Sequence, residues 1–234
     1  MARPRLRVLC ACGRRYRFPD RESMNFFAHA VVGLWRSEDR RFVLGTMLPD
    51  LSAMLGVRLT SAQDPQIDAG IQFHHTTDAA FHGAPHFVRL CAQSVEALTR
   101  TGVGRGTSRA VGHVGAELLL DGLLSHDLRA CDAYQEALAH AVEQRLTESL
   151  AWPDEQRARM HAGLMRLRAA PVPAGYREPA FVTERLQYIL SRRPRLAMQA
   201  SDVPKVEAHI EALHADLSVH WRELLEQVRT RLGD

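Results

Sequence analysis

From Met24 onward, apolar residues recur three and four positions apart and almost nowhere alternate, so the chain reads as a succession of helices with no convincing strand. Asn25 is placed to cap a first helix running to about Trp35. A second spans about Arg40 to Leu48 and should break at Pro49, which lacks a backbone donor and restricts the residue before it. Asp64-Pro65 combines a carboxylate cap with a first-turn proline and predicts a third helix ending near Gly83. Pro85 opens a fourth reaching about Thr99. The glycine-rich T-G-V-G-R-G-T is a connector, and Ser108 is the expected cap of the next helix, which carries His113 and Asp121. Further helices are expected over 131–150, 153–169, 177–191 and 203–231, separated by Trp152-Pro153-Asp154 and Pro171-Val172-Pro173. The fold class is all-α, with one helical domain over residues 24–234. Residues 1–23 lack periodicity and are expected to form a flexible basic extension, with Met24 a candidate start of the natural chain.

Two stripes of ionisable residues interrupt the apolar pattern. His74, Asp78 and His82 lie in H-H-T-T-D-A-A-F-H, and His113, Glu117 and Asp121 lie in H-V-G-A-E-L-L-L-D. A spacing of four puts each stripe on one helix face. Residues four apart are about 6 Å apart along the axis, so His74 and Asp78 are able to share one ion. His74 and His82 stand about 12 Å apart with directions diverging by about 80°, too far for one ion to hold both. Leucines and glycines surround the second stripe, and a buried carboxylate there needs a partner or a cation. Glu117 and Asp121 would repel each other if both were charged and unshielded. Asp121, deepest in the leucine run, is the stronger ligand candidate. His29 in M-N-F-F-A-H and Asp50 in L-G-T-M-L-P-D complete the set.

Each of these residues has a structural alternative. The His74 stripe could face solvent or bond backbone carbonyls, His29 could be a satisfied core histidine, and Asp50 a cap or turn residue. His126-Asp127 is a weaker pair, placed where its helix frays.

Charge narrows the partners. The formal net charge is +3 with a pI near 8.9, yet residues 1–23 alone carry seven arginines and a balance of +5, leaving the rest near −2. The basicity belongs to the extension, so no nucleic-acid partner is expected. No apolar stretch approaches the roughly 20 residues that span a bilayer, and R-V-L-C-A-C is too short for a signal-peptide core. No membrane span and a cytoplasmic location are therefore expected. Four cysteines fit that compartment. Cys10 and Cys12 resemble half of a zinc knuckle, but Cys91 and Cys131 are too far apart to supply the other half, so free thiols are expected. There is no phosphate-binding loop with lysine, no nucleophile elbow and no H-E-x-x-H. Arg192, Arg193 and Arg195 in S-R-R-P-R-L form a basic cluster at a helix end, either a solvated C-terminus or a contact for phosphate or an acidic partner.

M-N-F-F-A-H, L-G-T-M-L-P-D, A-G-I-Q-F-H-H-T-T-D, L-L-L-D-G-L-L-S and S-R-R-P-R-L resemble, in the same order, motifs of the acyl carrier protein phosphodiesterases. The resemblance runs from about Met24 to Leu232. That family is similar to the HD-domain metal hydrolases, which implies a single-domain HD-like helical bundle with a divalent metal, usually manganese. Its activity cleaves the phosphodiester joining 4′-phosphopantetheine to a serine of acyl carrier protein. By motif match, His29, Asp50, His74, Asp78 and Asp121 would be the site residues. The chain departs from the pattern at Gly122, where the family carries histidine, at Phe81-His82, where it carries Thr-Asp, and at His75, where it carries arginine. His113 or His82 would then replace the lost imidazole.

The expected function is therefore a metal-dependent phosphodiesterase. Asp50, His74, Asp78, His113 and Asp121 are the candidate metal ligands, and His29, His82 and Glu117 the catalytic groups beside them. Arg192, Arg193 and Arg195 would bind phosphate or dock acyl carrier protein, an acidic helical partner. The cofactor expected is Mn2+, with iron or zinc also suited to mixed imidazole and carboxylate ligands. Two alternatives stand beside it: the same chemistry on another phosphoester, such as a nucleotide or phospholipid headgroup, or a decayed relative that binds a partner through the old cleft.

Overall fold

The computed structural model describes residues 26–57, 59, 61–150, 152–170 and 174–233. The extension over 1–23, with Cys10 and Cys12, and the Asn25 cap lie outside the described residues. Nine α-helices are present among them: α1 (Phe26–Gly33), α2 (Arg40–Met54), α3 (Pro65–His82), α4 (Pro85–Arg100), α5 (Arg105–Leu124), α6 (Leu128–Glu143), α7 (Asp154–Ala169), α8 (Pro179–Ser191) and α9 (Val203–Leu232). Apart from short 3-10 turns, the one other pairing among the described residues is an isolated bridge between Ala62 and Leu150. The all-α reading holds, and the helices form one bundle. The 30-residue α9 packs along α3, α4, α5 and α8, while α1, α2 and α6 close the other side. No helix among the described residues is long and apolar enough to cross a membrane.

The helix starts follow local chemistry. Asp64 accepts the N–H groups of Gln66 and Ile67 at 2.9 and 3.1 Å, with Pro65 in the first turn of α3. Asp39 caps α2 by accepting from Arg41 N at 2.8 Å. Asp127 caps α6 by accepting from Ala130 N at 3.1 Å, which accounts for half of the His126-Asp127 pair; His126 itself is exposed.

Two boundaries differ from expectation. Helix α2 continues through Pro49 to Met54 instead of breaking. An interior proline costs about 3 kcal/mol, but this stretch buries Leu44, Met47, Leu48 and Leu51 in the core, each at 1% exposure, and full burial of such a side chain returns about 1.5–3 kcal/mol. Helix α5 starts at Arg105, a turn before Ser108, whose hydroxyl donates back to the Gly104 carbonyl at 3.0 Å instead of capping.

The α2–α3 crossing is unusually close. A Cβ at Gly45 would lie 2.3 Å from the Ile67 carbonyl, and one at Gly70 would lie 2.2 Å from the Phe42 carbonyl. Only glycine fits at both positions. This crossing sets the distance between the Asp50 and His74 backbones, and so builds the site.

Candidate metal centre

Four helices bring the ionisable residues to one cleft: His29 from α1, Asp50 from α2, His74, Asp78 and His82 from α3, and His113, Glu117 and Asp121 from α5. They separate into two groups.

The first is His29, Asp50 and His74. His29 Nε2 lies 3.4 Å from Asp50 Oδ2, His74 Nε2 lies 3.9 Å from Asp50 Oδ1, and the two rings are 4.0 Å apart. His74 Nδ1 is 2.8 Å from the Thr46 carbonyl. A carbonyl only accepts, so Nδ1 carries the proton and Nε2 keeps its lone pair toward Asp50. Burial, then the neighbouring His74, pushes His29 down to about 3. Burial, then Glu117 and Asp78, pushes Asp50 up to about 7. Burial thus disfavours the charged form of both partners in the His29–Asp50 contact. Among the described residues, Glu117, Asp78 and His82 act on Asp50, and no arginine or lysine does.

Asp121 stands beside this group. It is 1% exposed, and its Oδ1 accepts the backbone N–H of Ala28 at 2.8 Å. Burial holds it well above the usual carboxylate range against that hydrogen bond, and Glu117 and Asp50 add to the effect. It supplies an acceptor to the buried first-turn amides of α1, which have no partner within the helix, and so fixes the helix that carries His29.

The second group is His82, His113 and Glu117. Glu117 Oε1 lies 3.2 Å from both His82 Nε2 and His113 Nε2, and the stacked rings are 4.7 Å apart. Asp78 Oδ1 approaches the other face of His82, 3.2 Å from Nδ1. Hydrogen bonds to Asp78 and Glu117 raise His82 to about 10. Burial pushes Glu117 upward, but the bonds from His113 and His82 outweigh it and leave its carboxyl lowered. Asp78 follows the same balance, with His82 overcoming burial.

Both groups fit a divalent cation. Ligand atoms about 2.0–2.2 Å from one ion lie about 3.0–3.5 Å from each other; the nitrogen–oxygen separations are 3.2 Å in the second group and 3.4 and 3.9 Å in the first. All three donor atoms in either group fall within 4.8 Å of one another. A third group, His86, Asp216 and His220, meets the same distance condition but fails on chemistry. Arg89 donates to His86 Nδ1 at 2.8 Å, so His86 Nε2 must carry the proton it gives to Asp216 at 2.9 Å. That leaves His86 no lone pair, and the chain Arg89–His86–Asp216 joins α4 to α9 as structure.

The sequence-predicted residues thus converge, but in a different partition. His113 and His82 group with Glu117 and not with Asp121. Gly122 packs against the Tyr176 backbone, where a Cβ would lie 2.3 Å from the carbonyl. Arg192, Arg193 and Arg195 are exposed just beyond α8, where the Leu196 carbonyl accepts from Thr107 in the first turn of α5 at 3.3 Å. Thr46, Gly45, Gly70 and Phe87 were not singled out from sequence. An isolated glycine inside a helical pattern is a signal of close backbone approach that was present at Gly45 and Gly70. Burial pushes the Cys91 thiol up to about 11, so it is no nucleophile at neutral pH. A large open groove of about 1140 Å³ lies elsewhere, between α2 and α6, lined by mutually paired charges such as Arg40 with Glu136 and Arg41 with Asp39.

These features define an all-helical bundle with a histidine–carboxylate cleft able to hold metal. No protein family, curated protein or solved structure matches the chain.

Proposed function

We propose that the protein is a metal-dependent phosphodiesterase whose ion is held by His29, Asp50 and His74. One observation carries this reading: two imidazole nitrogens approach the two oxygens of a single carboxylate, and among the described residues no arginine or lysine is paired with it. A bound divalent cation polarises a phosphoryl oxygen and lowers the pKa of its water toward neutrality. The residues around it then have distinct duties. The Thr46 carbonyl fixes the tautomer of His74, and Asp121 orients α1 and with it His29. With no cation at its own group, His82 is held protonated between Asp78 and Glu117. Manganese is the first choice of metal, with iron or zinc compatible with the same donors.

The ordered motifs resembling acyl carrier protein phosphodiesterases support holo-acyl carrier protein as substrate. Arg192, Arg193 and Arg195 would meet its acidic surface, from a position about 9 Å along α5 from His113, the more exposed residue of the cleft. Charge of this kind speeds encounter more than it adds affinity. A second reading, another phosphoester, is favoured by Gly122: the Tyr176 backbone leaves no room for the family's histidine.

The test is manganese-dependent hydrolysis of a panel containing holo-acyl carrier protein, nucleotide diesters and phospholipid headgroups, followed by mass. Loss of the phosphopantetheine mass, abolished by Asp50→Asn, supports the first reading. Turnover of another member supports the second, and no turnover by manganese-loaded protein points to a non-enzymatic binder.

A further inference from the structure

Asp78 and His82 on α3 face His113 and Glu117 on α5, two pairs each spaced by four residues. Facing helices that each contribute such pairs are how helical bundles build metal sites. Three donors converge: His82 Nε2 and His113 Nε2 each lie 3.2 Å from the same oxygen of Glu117. Asp78 stands behind His82 at 3.2 Å from Nδ1, the carboxylate–histidine arrangement that points the other ring nitrogen at an ion. Phe87 packs against both imidazoles, with ring centroids 5.2 and 5.3 Å away. The rings are thereby held in place before any ion arrives. Unlike His86, neither His82 nor His113 receives a hydrogen bond from an arginine among the described residues, and both Nε2 atoms point at Glu117. The His113 side chain is 43% exposed, which leaves the outer side of the group open to water or to an anion.

The donors here are distinct from those at His29, Asp50 and His74: the two groups share no ligand residue, and His74 and His82 are eight residues apart, about 12 Å along α3. We propose that His82, His113 and Glu117 bind a second, independent divalent cation of the zinc class, with Asp78 positioning His82. Two imidazoles and one carboxylate are a zinc donor set that retains an open position. That position suits an anionic group of a substrate lying in the cleft. The substrate statement rests on the preceding functional reading; the ion site does not.

The experiment is zinc stoichiometry of the full chain, stripped with chelator, reloaded by equilibrium dialysis and measured by elemental analysis. Two zinc ions per chain are expected in the wild type, one in His113→Ala, one in Asp50→Asn and none in the double variant. His113 is half exposed, so its removal leaves the core intact, and a circular dichroism spectrum checks this. Cobalt loading gives a second measurement: a visible absorption band attributable to this group should vanish in His113→Ala and Glu117→Gln and persist in Asp50→Asn. Full zinc and an unchanged cobalt spectrum in both His113→Ala and Glu117→Gln would overturn the proposal, as would a wild type that binds no zinc or only one ion lost with Asp50→Asn. One ion lost with His113→Ala but kept in Asp50→Asn would uphold this site and refute the ion at His29, Asp50 and His74.

Discussion

Asp121 accepts the backbone N–H of Ala28 at 2.8 Å across 93 residues of sequence, so a carboxylate in the last turn of α5 serves as the N-terminal cap of α1. The same side chain lies beside Asp50, which adds to the rise in its pKa. Capping and metal ligation make different demands on it. Asparagine retains a carbonyl oxygen that accepts the Ala28 bond, while alanine leaves a buried amide without a partner. Asp121→Ala should lower stability by about 2–3 kcal/mol, and Asp121→Asn by under about 1 kcal/mol, both read by urea unfolding. If Asp121 serves α1 alone, Asp121→Asn will also keep its manganese affinity within about threefold. A tenfold or greater loss at preserved stability would make Asp121 a ligand in its own right.

The Gly45–Gly70 crossing predicts a structural route to metal loss. Gly45→Ala places a methyl group 2.3 Å from the Ile67 carbonyl, which helix backbones relieve only by moving apart. The shift would draw Asp50 and the Thr46 carbonyl away from His74. Stability should fall by about 2–3 kcal/mol, and manganese affinity by about tenfold or more in the fraction that folds. Gly56→Ala, where a Cβ meets nothing within 4 Å although φ is +66°, should weaken folding by about 1 kcal/mol and leave metal affinity unchanged.

The metal-free protein should be pH-sensitive on the alkaline side. His82 is raised from 6.5 to about 10, so its folded state holds a proton that the unfolded chain releases near 6.5. Its stabilising contribution is complete below about pH 6.5 and is lost as pH rises through about 10. Allowing for the solvent screening of a side chain that is 30% exposed, the loss between pH 7 and 10 should be about 2 kcal/mol. Asp50 acts oppositely to an ordinary salt-bridged carboxylate: raised from 3.8 to about 7, it lowers stability as pH climbs between those values. Denaturant titrations should show the wild-type decline from pH 7 to 10 flattened in His82→Asn. An equal decline in both chains would remove His82 as its source.

Much of this was readable in the chain because the decisive signals are local. Spacing by four put His74, Asp78 and His82 on one face, and the same rule held for His113 and Glu117. Asp64-Pro65 started α3 where its capping chemistry said it would. What failed was decided by tertiary contact. Pro49 did not end α2, because the packing of that helix against α3 and the core outweighs the lost hydrogen bond. The pairing of His82 with Glu117 spans 35 residues, and the Asp121–Ala28 bond spans 93; neither follows from periodicity. Gly122 illustrates the same limit. In sequence it reads as a missing imidazole, whereas in the fold it is the point where the Tyr176 backbone crosses α5.

The most direct measurement is an anomalous difference map from crystals of the full chain grown with manganese. A peak about 2.1–2.2 Å from His29 Nε2, His74 Nε2 and an oxygen of Asp50 is the predicted result, lost in crystals of Asp50→Asn. Saturating manganese with no density between those three side chains, or manganese bound only elsewhere, would contradict a catalytic ion at this position.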